Sequence, residues 1–185
     1  VHDAGGVTVL SVGRLVRQKD QECLIRATQG LNMTLILIGD GVLKGSLQHL
    51  VDSLNMKEQV RFIKAVPHAE IASYYSAADI FAIATHYEGF CIPVLEAMAA
   101  GLPVVASRIG PIEEILGDAG FLVENKPETF AEILLRLGKD PALRLEMGKR
   151  ARRRALSLDG HVREEEEKDL YQSLCLAGSS IPRQS

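Results

Sequence analysis

Four charged residues stand where this sequence passes from apolar runs into helix starts: Arg14, Lys19, Glu88 and Glu96. Arg14 and Lys19 follow the apolar run from Val7 to Val12 and Gly13. Two cations there can sit beside one anionic group, Arg as a planar fork and Lys as a point charge. Glu88 and Gly89 follow a second apolar run and precede a helix with Pro93 in its first turn, and Glu96 lies farther inside that helix. Carboxylates so placed can face one ligand at a helix N-terminus, where unpaired amides and the helix dipole form a ready anion site. Pro93 has no N–H to lose there, which leaves Ile92 and Val94 as the expected amide donors. On spacing alone, Arg14 and Lys19 would be read as solvated loop cations and Glu88 as a helix cap. Glu96 resists a comparable bland reading as a surface residue. It falls among Val94, Leu95, Ala97, Met98 and Ala99, and a charge in such an apolar segment needs a partner.

The elements that must position these residues alternate between strand and helix. Val7 to Val12, Met33 to Ile38, Val60 to Ile63, Ile80 to Ala84, Val104 to Ala106 and Gly120 to Val123 read as strands; the longer ones are continuous apolar runs, as in strands buried on both faces. Helices are expected from about Asp20, over Leu43–Leu54, Ala69–Ala77, Ile92 onward, Ile112–Leu116, Pro127–Leu137 and Pro141–Leu156. The alternation predicts an α/β fold, a Rossmann-like doubly wound parallel sheet with C-terminal helices. Residues 7–158 form that domain, 1–6 read as a linker remnant, 159–177 as an amphipathic helix and 178–185 as a disordered tail. Open parallel sheets bind ligands beyond the carboxyl ends of their strands. Gly13-Arg14, Gly39-Asp40-Gly41, the loop after Ile63 and Glu88-Gly89 all fall at that edge. Gly39-Asp40-Gly41 lacks the GxGxxG spacing of a dinucleotide site and reads equally as a tight turn. His68 is most simply a helix-start residue.

A chain of 185 residues is long enough for one compact domain with its own core. Its net charge of −3 gives no general reason to expect nucleic acid or an anionic membrane as partner. Cys23, Cys91 and Cys175 lack paired metal-ligand spacing and read as reduced thiols of a cytoplasmic protein. No apolar run approaches the roughly 20 residues of a membrane span.

The block from Tyr87 to Ser107, YEGFCIPVLEAMAAGLPVVAS, resembles the signature of retaining nucleotide-sugar glycosyltransferases of the GT-B fold, the group 1 type that includes bacterial mannosyl- and glucosyltransferases and glycogen synthases. GRL followed by Lys19 is similar to the diphosphate-binding pair of that family, and VRFIKAVP to the loop that holds the base through backbone groups. The resemblance implies that Gly13, Arg14 and Lys19 clamp the diphosphate, with Ala65 and Val66 meeting the base. It implies that Glu88, Gly89, Phe90, Cys91, Ile92 and Val94 surround the sugar and phosphates, and that Glu96 takes the ribose hydroxyls. Glu88, Arg14 and Lys19 are the catalytic residues it implies, with no metal and no tightly bound cofactor. The substrate it implies is a UDP-, GDP- or ADP-linked sugar. The resemblance implies that the chain corresponds to the C-terminal, donor-binding half of a hexosyltransferase of polysaccharide or glycoconjugate biosynthesis. The partner it implies is an N-terminal acceptor-binding domain, and the whole enzyme can sit at the inner face of a membrane. By itself the half is expected to bind donor without turning it over.

This sequence departs from the family at Lys64 and Cys91, where relatives carry Gly, and in SRIGPIEEIL, where Glu113 replaces Pro. Three alternatives stay open: a non-catalytic nucleotide-sugar-binding or regulatory module, an epimerase of the same architecture, and RNA binding through the basic run Lys149–Arg154. That run reads more simply as a solvated face paired with Glu164–Glu167.

Overall fold

The computed structural model describes residues 6–158. Its centre is a six-stranded sheet of β1 (Val7–Val12), β2 (Met33–Ile38), β3 (Val60–Ile63), β4 (Ile80–Ile83), β5 (Val104–Ser107) and β6 (Phe121–Val123). The strands lie in the order β3-β2-β1-β4-β5-β6, and every pair is parallel. Around the sheet run α1 (Gln21–Thr28), α2 (Lys44–Ser53), α3 (His68–Ser76), α4 (Ile92–Ala99), α5 (Gly110–Leu116), α6 (Pro127–Lys139) and α7 (Pro141–Ser157). This is the doubly wound, Rossmann-like architecture that the apolar runs predict. The helix expected over 159–177 and the tail over 178–185 lie outside the described residues.

Continuous apolar strands follow from burial on both faces. Successive strand residues point to opposite sides, so Leu35 and Leu37 enter one core while Ile36 and Ile38 enter the other. The first core joins the sheet to α1, α2 and α6 through Leu24, Leu47 and Phe130. The second joins it to α3, α4, α5 and α7 through Tyr75, Met98, Ile112 and Ala151. Both layers are needed to bury the sheet, and both supply loops to its carboxyl edge.

Helix starts depart most from the sequence reading. α5 begins at Gly110, ahead of the expected Ile112, with Pro111 in its first turn. Proline's fixed φ and missing N–H suit that position, so a Gly-Pro pair that looks like loop begins a helix. The basic run is partly structural. Arg154 donates to the carbonyls of Glu114 (2.9 Å) and Ile115 (3.2 Å) at the end of α5, and Arg150 pairs with Asp118 at 2.7 Å. Its expected partners Glu164–Glu167 lie outside the described residues.

The strand order fixes where a ligand can enter. From β1 the chain winds outward through β2 and β3, then returns to lay β4 on the other side of β1. The loops leaving β1 and β4 therefore diverge, and a crevice opens at their carboxyl ends.

Candidate functional site

The two loops that flank this crevice carry Arg14 and Lys19 on one side and Glu88 on the other. Lys19 Nζ is hydrogen-bonded to Glu88 Oε1, with the two side chains only 12% and 7% exposed. A buried charge without its partner is strongly unfavourable, so each of these residues holds the other in place. Glu88 is not a helix cap. The cap position of α4 is Cys91, and no side chain closes it.

Beside the pair, a cavity of about 340 Å³ opens at the ends of β1, β2 and β3. Gly13 and Arg14 form one wall, Ala65 and Val66 another, and Glu96 reaches in from α4. Residues from three separate loops and one helix thus converge as the sequence reading expected. Arg14 is exposed at the mouth, while its backbone is fixed: its carbonyl accepts from Gln21 Nε2 at 2.8 Å. The neighbouring amide of Leu15 donates to the Asp40 carbonyl at 2.9 Å.

The open question about Gly39 and Gly41 resolves toward packing. A Cβ on Gly39, whose φ is +150°, would lie 2.0 Å from the Gly13 carbonyl oxygen. One on Gly41 would lie 2.3 Å from that of Leu15. The close approach these glycines permit is to the Arg14 loop itself. Asp40 also lines the cavity, with its carboxylate accepting from the Gly41 amide at 2.8 Å.

The expected sugar-side residues divide. Gly89 is exposed, and Phe90 and Ile92 form a rim with Tyr87 at 63%, 56% and 69% exposure. Cys91 and Val94 are fully buried and belong to the second core. The amides of Ile92 and Val94 already donate to the carbonyls of Phe90 (3.2 Å) and Cys91 (3.1 Å). Among the described residues, the amides of Gly89 and Phe90 make no such backbone bond, and both residues are exposed.

Burial, then the nearby Glu88 charge, pushes the Cys91 thiol up to about 11, and burial pushes Cys23 up to about 12. Neither is a nucleophile at neutral pH. Both raised values favour the protonated, folded form, so the stability they contribute is complete below about pH 9 and is lost as pH rises toward 11–12. We expect native protein to leave Cys23 and Cys91 unalkylated at pH 8, read by peptide mass mapping, with labelling on unfolding. Rapid native labelling of Cys91 would contradict this burial.

The sequence reading missed a polar network beneath the crevice. The Thr85 amide donates to Ser107 Oγ (2.9 Å), which donates to Asn125 Oδ1 (2.8 Å), and Asn125 Nδ2 donates to Asp20 Oδ2 (2.8 Å). Thr85 Oγ1 donates to the Gln18 carbonyl at 3.1 Å, and the His86 amide to the same carbonyl at 2.9 Å. Asp20 has a positive φ of 33° and accepts from the Cys23 amide as the cap of α1. Together these bonds tie the Lys19 loop to the Glu88 loop. The available signal was a polar residue, Thr85 or Ser107, just where an apolar strand ends. Glu96 has the partner its apolar setting called for: Tyr75 Oη donates to Glu96 Oε2 at 2.8 Å.

Among the described residues no helix is long and apolar enough to cross a membrane. The chain is 34% identical to the D-inositol 3-phosphate glycosyltransferase of Kineococcus radiotolerans, across 82% of this chain and 41% of that protein. Sucrose-phosphate synthase from Thermosynechococcus elongatus superposes with a TM-score of 0.79 at 31% identity, over 93% of this chain and 46% of that one. Anabaena HepE, solved with UDP, gives a TM-score of 0.80 at 25% identity, over 91% and 49%. The chain thus spans less than half the length of each. The model of the family described as "Glycosyl transferases group 1" matches residues 2–154, which takes in the crevice and every residue around it. On that match, the chain belongs to the group 1 glycosyl transferases.

Proposed function

We propose that this chain is the donor-binding half of a retaining hexosyltransferase, which moves a sugar from a nucleoside diphosphate to an acceptor hydroxyl. The observation that carries the reading is the convergence of Arg14, Ala65, Val66 and Glu96 on one cavity, with the Lys19–Glu88 pair at its side. The peptide groups of Ala65 and Val66 suit a base edge. Glu96 suits ribose hydroxyls, since a carboxylate accepts several hydrogen bonds at once. Arg14 and Lys19 suit the diphosphate, and Glu88 suits the sugar hydroxyls above it.

In the step this implies, the bond between the anomeric carbon and the diphosphate oxygen breaks. The acceptor oxygen bonds to the same face of that carbon, and the acceptor proton passes to the departing phosphate. Negative charge grows on the leaving group, where fixed cations act most strongly. The exposed apolar rim of Tyr87, Phe90 and Ile92, with Val42 at 89% exposure, suits a surface that a further, acceptor-binding domain covers.

UDP is the first ligand to try, because the Anabaena neighbour was solved with it. GDP and ADP are the other two candidates. We expect one of them, at 100 times its dissociation constant, to stabilise the chain by about 2.7 kcal/mol in a thermal or denaturant melt. The chain alone transfers no sugar in this reading. Turnover by the isolated chain would overturn the division of labour, and no stabilisation by any of the three would overturn the donor site.

A further inference from the structure

We propose that this chain carries a second carbohydrate site: the cavity between the start of α1 and α2 takes one neutral sugar ring, a hydroxyl of which donates to Gln21 Oε1. The cavity has a volume of about 310 Å³ and lies where the loop after β1 enters α1. Ligand cavities run from roughly 300 to 1,000 Å³, so this one suits a single ring. It shares no lining residue with the cavity around Arg14. The proposal therefore goes beyond the donor reading and does not depend on it.

Gln21 lines this cavity and is 4% exposed. Its Nε2 donates to the Arg14 carbonyl at 2.8 Å, which fixes the amide, because the flipped form would set two oxygens against each other. Oε1 is then the amide atom left for the cavity. Among the described residues it is a buried side-chain oxygen with no hydrogen-bond partner. A buried acceptor is costly to leave unpaired, so the site calls for a donor.

The rest of the lining decides what kind of donor. The carboxylates of Asp20 and Glu22 face the same cavity and repel an anion, while Arg17, exposed at it, disfavours a cation and can donate to a ligand oxygen. Leu43, Leu47 and Leu50 recur at helical spacing and form an apolar wall. A pyranose answers all of these demands. It is neutral, its hydroxyls both donate and accept at the ring edge, and its C–H groups make the ring faces apolar. The polar wall is also held in place: Asp20 Oδ2 accepts from Asn125 Nδ2 at 2.8 Å and lies 3.2 Å from His86 Nε2.

The test is saturation-transfer NMR on the whole chain with the methyl glycosides of glucose, mannose and galactose, whose hydroxyl geometries differ. At least one should receive saturation from the protein and saturate on titration. Ser46→Trp, at an exposed position on the cavity's edge, should abolish that transfer by filling the space. Gln21→Leu keeps the shape but removes the acceptor, and should weaken binding about 5- to 10-fold, as for the loss of one hydrogen bond. Urea midpoints identify which variants are folded, and Ser46→Trp decides the matter if Gln21→Leu is not. No transfer to any of the three glycosides would leave Gln21 Oε1 merely hydrated and overturn the proposal. Transfer that persists in Ser46→Trp would put the sugar elsewhere on the chain, with the same consequence. Loss in Ser46→Trp with unchanged affinity in folded Gln21→Leu would remove Gln21 as the seat of the ring and overturn the proposal as stated.

Discussion

On the donor-binding role proposed for this chain, Lys19→Met in the full-length enzyme should lower kcat by about 10²–10³-fold, the usual effect of removing one group that stabilises developing negative charge. The same substitution should destabilise the fold by about 3–5 kcal/mol, because it strands a buried carboxylate without its cation. Glu88→Ala should cost stability for the mirror-image reason. The exposures of 12% and 7% make these losses larger than those of a surface pair. The double variant Lys19→Met/Glu88→Leu separates the two effects. With both charges replaced by apolar groups of similar size, most of the lost stability should return, since buried pairs are often no better than apolar packing. Transfer should not return at all. Urea midpoints for the four proteins, alongside a donor-consumption assay, read both quantities. A double variant as unstable as the singles would show that the pair is not the structural unit we describe. Near-normal transfer by Lys19→Met would remove Lys19 from the catalytic machinery.

The sheet was legible because its strands are buried on both faces, so each announces itself as an unbroken apolar run. Val7–Val12 and Met33–Ile38 appear where the sequence puts them. The order of the strands is not in that pattern, because any of these runs could neighbour any other. Most cavity residues were legible for a related reason: Gly13, Arg14, Ala65 and Val66 follow strand ends, and the parallel fold brings all strand ends to one edge, whereas Glu96 stood out as a charge inside an apolar helix. What the sequence hides is the pairing across that edge. Lys19 and Glu88 meet although β2, β3 and β4 lie between them in the chain, and nothing local in either residue names the other. The expectation for Ile92 and Val94 shows the same limit at short range. Counting free amides at a helix start ignores the turn before it, and that turn already engages both. Cys91 likewise could not be assigned inward or outward from a loop sequence. Tyr75 gave no sign of a polar role, because a Tyr within an apolar helix face reads as core, which it also is.

The second large effect concerns the glycines that support the Arg14 loop. Gly39→Ala should destabilise the protein by about 2–6 kcal/mol, combining backbone strain at a positive φ with overpacking. The obstacle is the Gly13 carbonyl, 2.0 Å from the new Cβ, and backbone cannot swing aside as a flexible side chain does. Gly41→Ala is the more informative change. Its Cβ would stand 2.3 Å from the Leu15 carbonyl oxygen without a disallowed φ, so relief must come from moving the loop that carries Arg14. Nucleotide affinity should therefore fall at least as steeply as stability, with a loss of about tenfold for each 1.4 kcal/mol of misplaced contact. Gly45 supplies the control. It lies in α2 just beyond this turn, and a Cβ there would meet nothing within 4 Å. Gly45→Ala should stabilise the fold by about 0.5–1 kcal/mol through helix propensity, leaving binding unchanged. Denaturation midpoints and nucleotide titrations of the three variants test the ranking. If Gly41→Ala kept both its midpoint and its affinity, the β2–α2 turn would not be the support of the cavity wall that carries Arg14. The loss of affinity in Gly41→Ala, set against its retention in Gly45→Ala, would place the role of this turn in the backbone it holds and not in any atom it offers to the ligand.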